Sequence, residues 1–328
     1  MKEIVTMWKY SMMVAITVLC AGIYMLFLLP TKSIAIIPGI TEIRPASLLP
    51  VIFGLLFGPA GAWGSAIGNL GGDMFGTLSP GSVFGFVGNF LYAYIPYKLW
   101  YHIKQRHGED HAPTIDSPLK LARFGIVSII SSIACAVMIA WGLNLMNITN
   151  FTAPAIIIAL NNTVTTLLFS PILLPVLYKT ANKYKLLWTD LMHPKDISRP
   201  SADKLYPFMV ITGSTGAFLS GLAAACFVAG EAVSDWQRPV QGIGSIAVTL
   251  IVLPFLAIML YGSFKSCFFI RTYIRISSSS SLLRCCTMEL VRFSDSINSC
   301  SSFLSRSISF LMYKQLVFFK AIHLPVRT

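Results

Sequence analysis

Charge is scarce in this chain. Only 12% of its 328 residues are Asp, Glu, Lys or Arg and 55% are hydrophobic, whereas a soluble domain is about 25% charged. That balance excludes an ordinary soluble fold. Acids are scarcer still, 13 against 25 cations, but the excess positive charge does not mark a nucleic-acid surface. The cations lie mostly in connections between apolar runs and in the last segment, where they read as orientation signals on the cytoplasmic face. No phosphate-cradling G-x-x-x-x-G-K-[ST] loop, nucleophile elbow or H-E-x-x-H is present, so nothing indicates ATP hydrolysis or hydrolase chemistry. The chain is expected to be no enzyme and to hold no cofactor, and any energy source has to come from a partner. Its seven cysteines have neither metal-ligand spacing nor the look of a disulfide framework. His102, His107, Glu109, Asp110 and His111 resemble a metal cluster in residue type but lack rigid spacing, and read as a solvated linker.

What remains is a set of uncharged runs at residues 10–31, 45–72, 74–97, 124–178, 205–230 and 239–264. A bilayer crossing takes about 20 apolar residues. The polar segment Asn144 to Thr152 divides the fourth run into helices near 121–143 and 153–178. The first run has no clear cleavage site and reads as a retained helix. The 45–72 run is 28 residues long, too long for one crossing and too short for two full ones. Phe57-Gly58-Pro59 divides it, because Pro blocks helix continuation and Gly tolerates a reversal. Two short helices meeting there return Asp73 to the side of Glu42 and Arg44, giving eight membrane elements in all. The expected fold is an all-α polytopic membrane protein in the cell membrane.

Loop charge tests this count. Lys98–Arg123 and Lys179–Lys204 are rich in cations and belong on the cytoplasmic side. With the Lys2 and Lys9 end also inside, a single crossing over 45–72 would put both loops outside, and a split pair puts both inside. Glu42, Arg44, Asp73 and the 144–152 turn then share the outer side, and the N-terminus and C-terminal tail are cytoplasmic.

Ionisable and amide side chains at membrane depth are costly and therefore candidates for a site. Arg44 precedes Pro45, which holds it extended. Asn69 and Asp73, four residues apart, fall on one helix face, and Trp63 shares that short element at a wider angle. Gly64 and Gly68 form a G-x-x-x-G step suited to close helix packing or to tight ligand approach. Gly85 and Gly88 lead to Asn89, Tyr92 and Tyr94. Asn161 and Asn162 sit within the 153–178 helix, followed by Thr163, Thr165 and Thr166, and bond either across helices or to a ligand. The candidate substrate-binding residues are thus Glu42, Arg44, Trp63, Asn69, Asp73, Asn89, Tyr92, Asn161 and Asn162. Trp63, Tyr92 or Tyr94 would stack on a planar solute.

The order Ile37-Pro38-Gly39, Glu42-Ile43-Arg44-Pro45, Phe57-Gly58-Pro59, Gly68-Asn69, Asp73, Gly85 and Gly88-Asn89 resembles the substrate-binding S component of energy-coupling factor transporters, closest to the queuosine-precursor transporter-like branch, over about residues 10–190. The resemblance implies a six-helix bundle with an outward pocket gated by the loop Thr31–Arg44. It also implies a small micronutrient solute, vitamin or queuosine-precursor-like, and partners in a transmembrane coupling subunit and two ATPases. On helix 1 only Ser11 and Ala15 stand where a small-residue contact motif is expected. The domain division is then 1–190 for the S-component-like bundle, 205–264 for two additional transmembrane helices and 265–328 for a tail. A truncation after Gly262 is expected to leave the membrane domain intact.

From Lys265 the composition shifts to 14 serines and nine cations against two acids, with none of the 23 glycines. This segment reads as a disordered basic tail or as a shifted reading frame. The alternative function is a membrane-integral sensory domain of a signalling protein lacking its output domain, which Ser170-Pro171-Ile172-Leu173-Leu174-Pro175 also suits.

Overall fold

The computed structural model describes residues 2–31, 44–75, 78–102, 112–197, 205–231 and 243–265. Glu42, most of the expected gating loop, the 103–111 part of the His-containing linker and the segment from 266 onward lie outside the described residues. Every regular element among the described residues is helical. The helices are α1 (Lys2–Thr6), α2 (Ser11–Thr31), α3 (Leu49–Phe57), α4 (Pro59–Met74), α5 (Ser82–His102), α6 (Pro118–Leu145), α7 (Thr152–Lys183), α8 (Trp188–Leu191), α9 (Leu205–Phe227) and α10 (Ile243–Lys265). Single 3₁₀ turns occupy Met7–Lys9 and Pro45–Leu48. Of these helices, α2, α6, α7, α9 and α10 are long and apolar enough to cross a membrane. The all-α polytopic reading therefore holds.

The uncharged 45–72 run is split where Pro and Gly predict. Gly58 has φ 55°, a left-handed value open to glycine without a Cβ penalty, and α3 ends there as α4 begins. A Cβ on Gly58 would lie 2.9 Å from the Trp188 ring, so the elbow is also closed by α8. From the elbow α4 runs back alongside α2 in the same direction. A Cβ at Gly64 would lie 2.5 Å from that of Cys20, and one at Gly68 would lie 2.7 Å from the Ala21 carbonyl. The G-x-x-x-G step is used for close packing of α4 on α2.

Two expected boundaries move. The fifth helix does not begin at residue 74. Ser79-Pro80-Gly81 forms a turn in which the Ser82 hydroxyl accepts from the Ser79 N–H at 3.2 Å, and α5 starts only at Ser82. No charge marks that boundary, so counting uncharged residues passes over it. The next helix starts earlier than expected, at Pro118, because the Ser117 side chain accepts from the Lys120 N–H and Pro118 stands at the first helical position, a favoured start.

The first ten residues are not a free end. Glu3 is fully buried and its carboxylate is paired with Lys98. The Tyr97 hydroxyl donates to Glu3 at 3.4 Å and the Trp63 indole donates to the Ile4 carbonyl at 3.2 Å. Lys2 meets Asp196 at 2.8 Å, and Tyr10 donates to the same carboxylate at 2.9 Å. This closes one end of the bundle, called here the α1 end. Asp196 is held below the ordinary carboxylate range by Lys2 first and Tyr10 second. Lys120, with help from Thr114, does the same for Asp116.

Helices α9 and α10 pack on each other and against α5, α6 and α7. The Phe264 ring of α10 stacks on Tyr94 at 5.6 Å and on Phe90 at 6.3 Å. A truncation after Gly262 would remove that ring from the core. At the opposite end, one Glu231 carboxylate oxygen, just beyond α9, accepts from the backbone N–H groups of Phe151 and Thr152 and from the Thr152 hydroxyl at 2.9–3.0 Å. It thereby satisfies donors that the first turn of α7 leaves open.

Candidate solute site in the bundle

The end opposite α1, called the Arg44 end, gathers polar side chains from three helices. On α4, the Asn69 amide donates to Asp73 at 3.4 Å, a long bond. On the facing helix α5, Gly85 makes room for them: a Cβ there would lie 2.9 Å from the Asn69 amide nitrogen and 3.7 Å from the Asp73 carboxylate. One turn further along α5, the Asn89 amide donates to the Gly85 carbonyl at 2.9 Å, and its oxygen accepts from the Tyr24 hydroxyl of α2 at 2.8 Å. Tyr24, Asn69 and Asn89 are buried, while Asp73 is half-buried. The result is a carboxylate and two amides packed closely about a glycine, with one phenol behind them.

Arg44 stands exposed at the entry to this cluster. Its backbone is extended (φ −100°, ψ 91°) ahead of Pro45, as the proline requires. The turn Pro45–Leu48 that follows it packs against α2, the helix that carries Tyr24. This arrangement follows from the elbow at Gly58, since α4 can bring Asp73 back beside Arg44 only if α3 stops short.

A second polar group lies deeper. The Tyr92 hydroxyl, fully buried, donates to the Asn162 carbonyl at 3.1 Å and lies 2.7 Å from the Thr166 hydroxyl. Asn161 is half-buried, one position round α7 from this group. Tyr92 thus ties α5 to α7 at Asn162 and Thr166, which is the interhelical use of such residues.

Trp63 is in neither group. It lies ten residues from Asp73 along α4, about 15 Å at the helical rise, and it packs near the α1 end. Its ring sits 5.1 Å from Phe90 and 5.8 Å from Trp8, and its indole N–H is already engaged by Ile4. Tyr94 is stacked on Phe90 and Phe264. Tyr24 was not among the residues expected from sequence. Its signal was a phenol in the middle of an otherwise aliphatic span, which needs a hydrogen-bond partner wherever it is buried. A cleft between α5, α9 and α10, lined by Ile95, Lys98, Tyr206 and Ser263, offers about 10 Å³. That is room for one water, and it lies at the α1 end, away from Asn69 and Asp73.

Comparison with known proteins gives one result that bears on this geometry. A family model described as QueT transporter matches residues 14–179, from the start of α2 to the end of the membrane-spanning part of α7. The comparisons with curated proteins and with solved structures give no match.

Proposed function

Because the chain belongs to the QueT transporter family, an S-component family of energy-coupling factor transporters, we propose that it captures a small micronutrient of the queuosine-precursor or vitamin class at the Arg44 end of the bundle. The observation that carries this reading is the cluster of Asn69, Asp73 and Asn89 packed about Gly85. Two amides and a carboxylate there would present donors and acceptors to the edge of a heterocycle. Arg44 and Glu42 would close over the solute from the mouth, with the loop Thr31–Arg44 as the gate. The site binds and releases without bond-making, so the work of transport falls to partners: a coupling subunit and two ATPases.

The test is native mass spectrometry of the purified protein for a retained solute, followed by the same measurement on Asn69→Ala and Asp73→Asn. Loss of a neutral hydrogen bond worth about 0.5–1.5 kcal/mol weakens binding several-fold for Asn69→Ala. Loss of a charged one worth about 1.5–3 kcal/mol weakens it tenfold or more for Asp73→Asn. Unchanged retention in both variants would rule out this site.

A further inference from the structure

The end of α7 has properties that solute capture does not use. The helix is 32 residues long, about 48 Å at 1.5 Å per residue, whereas the hydrocarbon core of a bilayer is about 30 Å thick. Its last turns therefore extend past the acyl chains. One face carries the exposed residues Leu160, Val164, Leu168, Ile172 and Val176, four apart and so in one row. Ile172 is 73% exposed. That row is the lipid-facing side of α7, and it runs directly into Lys179 and Lys183, both exposed. Lys179 lies about 40 Å from the start of the helix, at the depth of the headgroups.

The cap of the helix adds to this. Lys183 lies 5.5 Å from the centre of the Tyr184 ring, and Tyr184 is 62% exposed, an amphipathic ring suited to the interface. Lys185 has φ 54°, in the left-handed position after a helix end where Gly or Asn is usual. A lysine is kept there against its own backbone preference. Among the described residues no carboxylate pairs with Lys179, Lys183 or Lys185. Asp196, in the segment that follows, is taken by Lys2 and Tyr10.

We propose that Lys179, Lys183, Tyr184 and Lys185, where the lipid-facing row of α7 reaches the headgroup layer, form a docking site for the headgroups of anionic phospholipids. The lysines supply charge to the phosphate, the tyrosine sits at the interface, and the apolar row above accepts the acyl chains. Lysines at a helix C-terminus also answer the partial negative charge of the last carbonyls. That role would act equally in any lipid, which gives the experiment its control.

The full chain is reconstituted in nanodiscs of phosphatidylcholine, with and without phosphatidylglycerol. Melting temperature and retained lipids are measured, the latter by native mass spectrometry. The wild type is expected to melt higher in phosphatidylglycerol and to retain it preferentially. The triple variant Lys179→Gln, Lys183→Gln, Lys185→Asn should lose most of that preference, about fivefold per lysine and roughly a hundredfold together. The wild-type preference should shrink at about 1 M salt, where charge is screened within about 3 Å. Lys185→Asn alone separates the two roles: it should raise the melting temperature in phosphatidylcholine, because Asn tolerates the left-handed position, while lowering the phosphatidylglycerol preference. An equal preference in wild type and variants overturns the proposal. So does a variant that keeps its lipid preference but no longer co-purifies with a soluble partner, which would make the patch a protein interface.

Discussion

The two ends of the bundle handle polarity in opposite ways. At the α1 end a buried carboxylate meets a largely buried ammonium, Glu3 with Lys98. Around them the Trp63 indole bonds Ile4, the Trp188 ring packs against Gly58, and Asp196 sits between Lys2 and Tyr10. At the Arg44 end two amides, a carboxylate and a phenol bond to one another, the Asn69 amide packs against Gly85, and the cation stands exposed at the mouth. One end is closed by a buried ion pair and the other carries neutral amides beside a half-buried carboxylate. A buried ion pair is costly to separate, whereas an amide exchanges one hydrogen-bond partner for another at little net cost, which suits a site that takes up and releases a solute.

This contrast breaks most sharply at Lys98. Lys98→Met leaves Glu3 buried without its counter-charge and should lower stability by about 3–5 kcal/mol, read as a fall in melting temperature in detergent. Adding Glu3→Gln should restore a good part of that loss, since it is the unpaired charge that is costly. A smaller effect follows from the C-terminal side of the same end. A chain ending after Gly262 loses the Phe264 stack and should be about 1–3 kcal/mol less stable than one ending after Lys265, measured by size-exclusion profile and melting curve. Equal behaviour of the two truncations would show that the stack contributes nothing.

At the Arg44 end the same kind of substitution should leave the fold nearly untouched. Asp73→Asn keeps the shape and still offers the Asn69 amide an oxygen to donate to, so its stability should change by less than about 1 kcal/mol even as solute retention falls. The smallest effect is pH-dependent. Lys2 and Tyr10 hold Asp196 below the ordinary carboxylate value of about 3.9, so their contribution is present at neutral pH. It is lost only as the pH falls below that value towards the lowered one. Fluorescence of Trp8, followed from neutral pH to about pH 3, should report loosening of the N-terminal segment in the wild type. In Asp196→Asn the loosening should already be present at neutral pH and the acid transition absent.

Much of this was legible from residues alone, for definite reasons. An uncharged run of the wrong length, a Gly-Pro pair inside it and two cation-rich loops sufficed to place the elbow at Gly58. Asn69 and Asp73 followed from a spacing of four. The seal at the α1 end was not legible, because Glu3 and Lys98 are 95 positions apart and each alone reads as a solvated charge near a helix end. Trp63 was drawn towards the site by its place on α4, although three turns of helix carry it to the other end. The start of α5 was missed because charge, rather than the turn chemistry of Ser79-Pro80-Gly81, set the boundary. Asn89 and Tyr92 are buried because each is bonded within the bundle, Asn89 to Tyr24 and Tyr92 to Asn162.

The Glu231 carboxylate at the start of α7 has a consequence for how the chain is made. Thr152 and Glu231 are 79 residues apart, and at about 5–20 residues per second the ribosome needs roughly 4–16 s to supply the second after the first. During that interval Asn150 can already cap the Ala153 N–H, while the Phe151 and Thr152 amides wait for their acceptor, so the earlier helices assemble around an unfinished end. The hairpin of α9 and α10 arrives last and completes it, which makes final maturation of the bundle an event timed by translation.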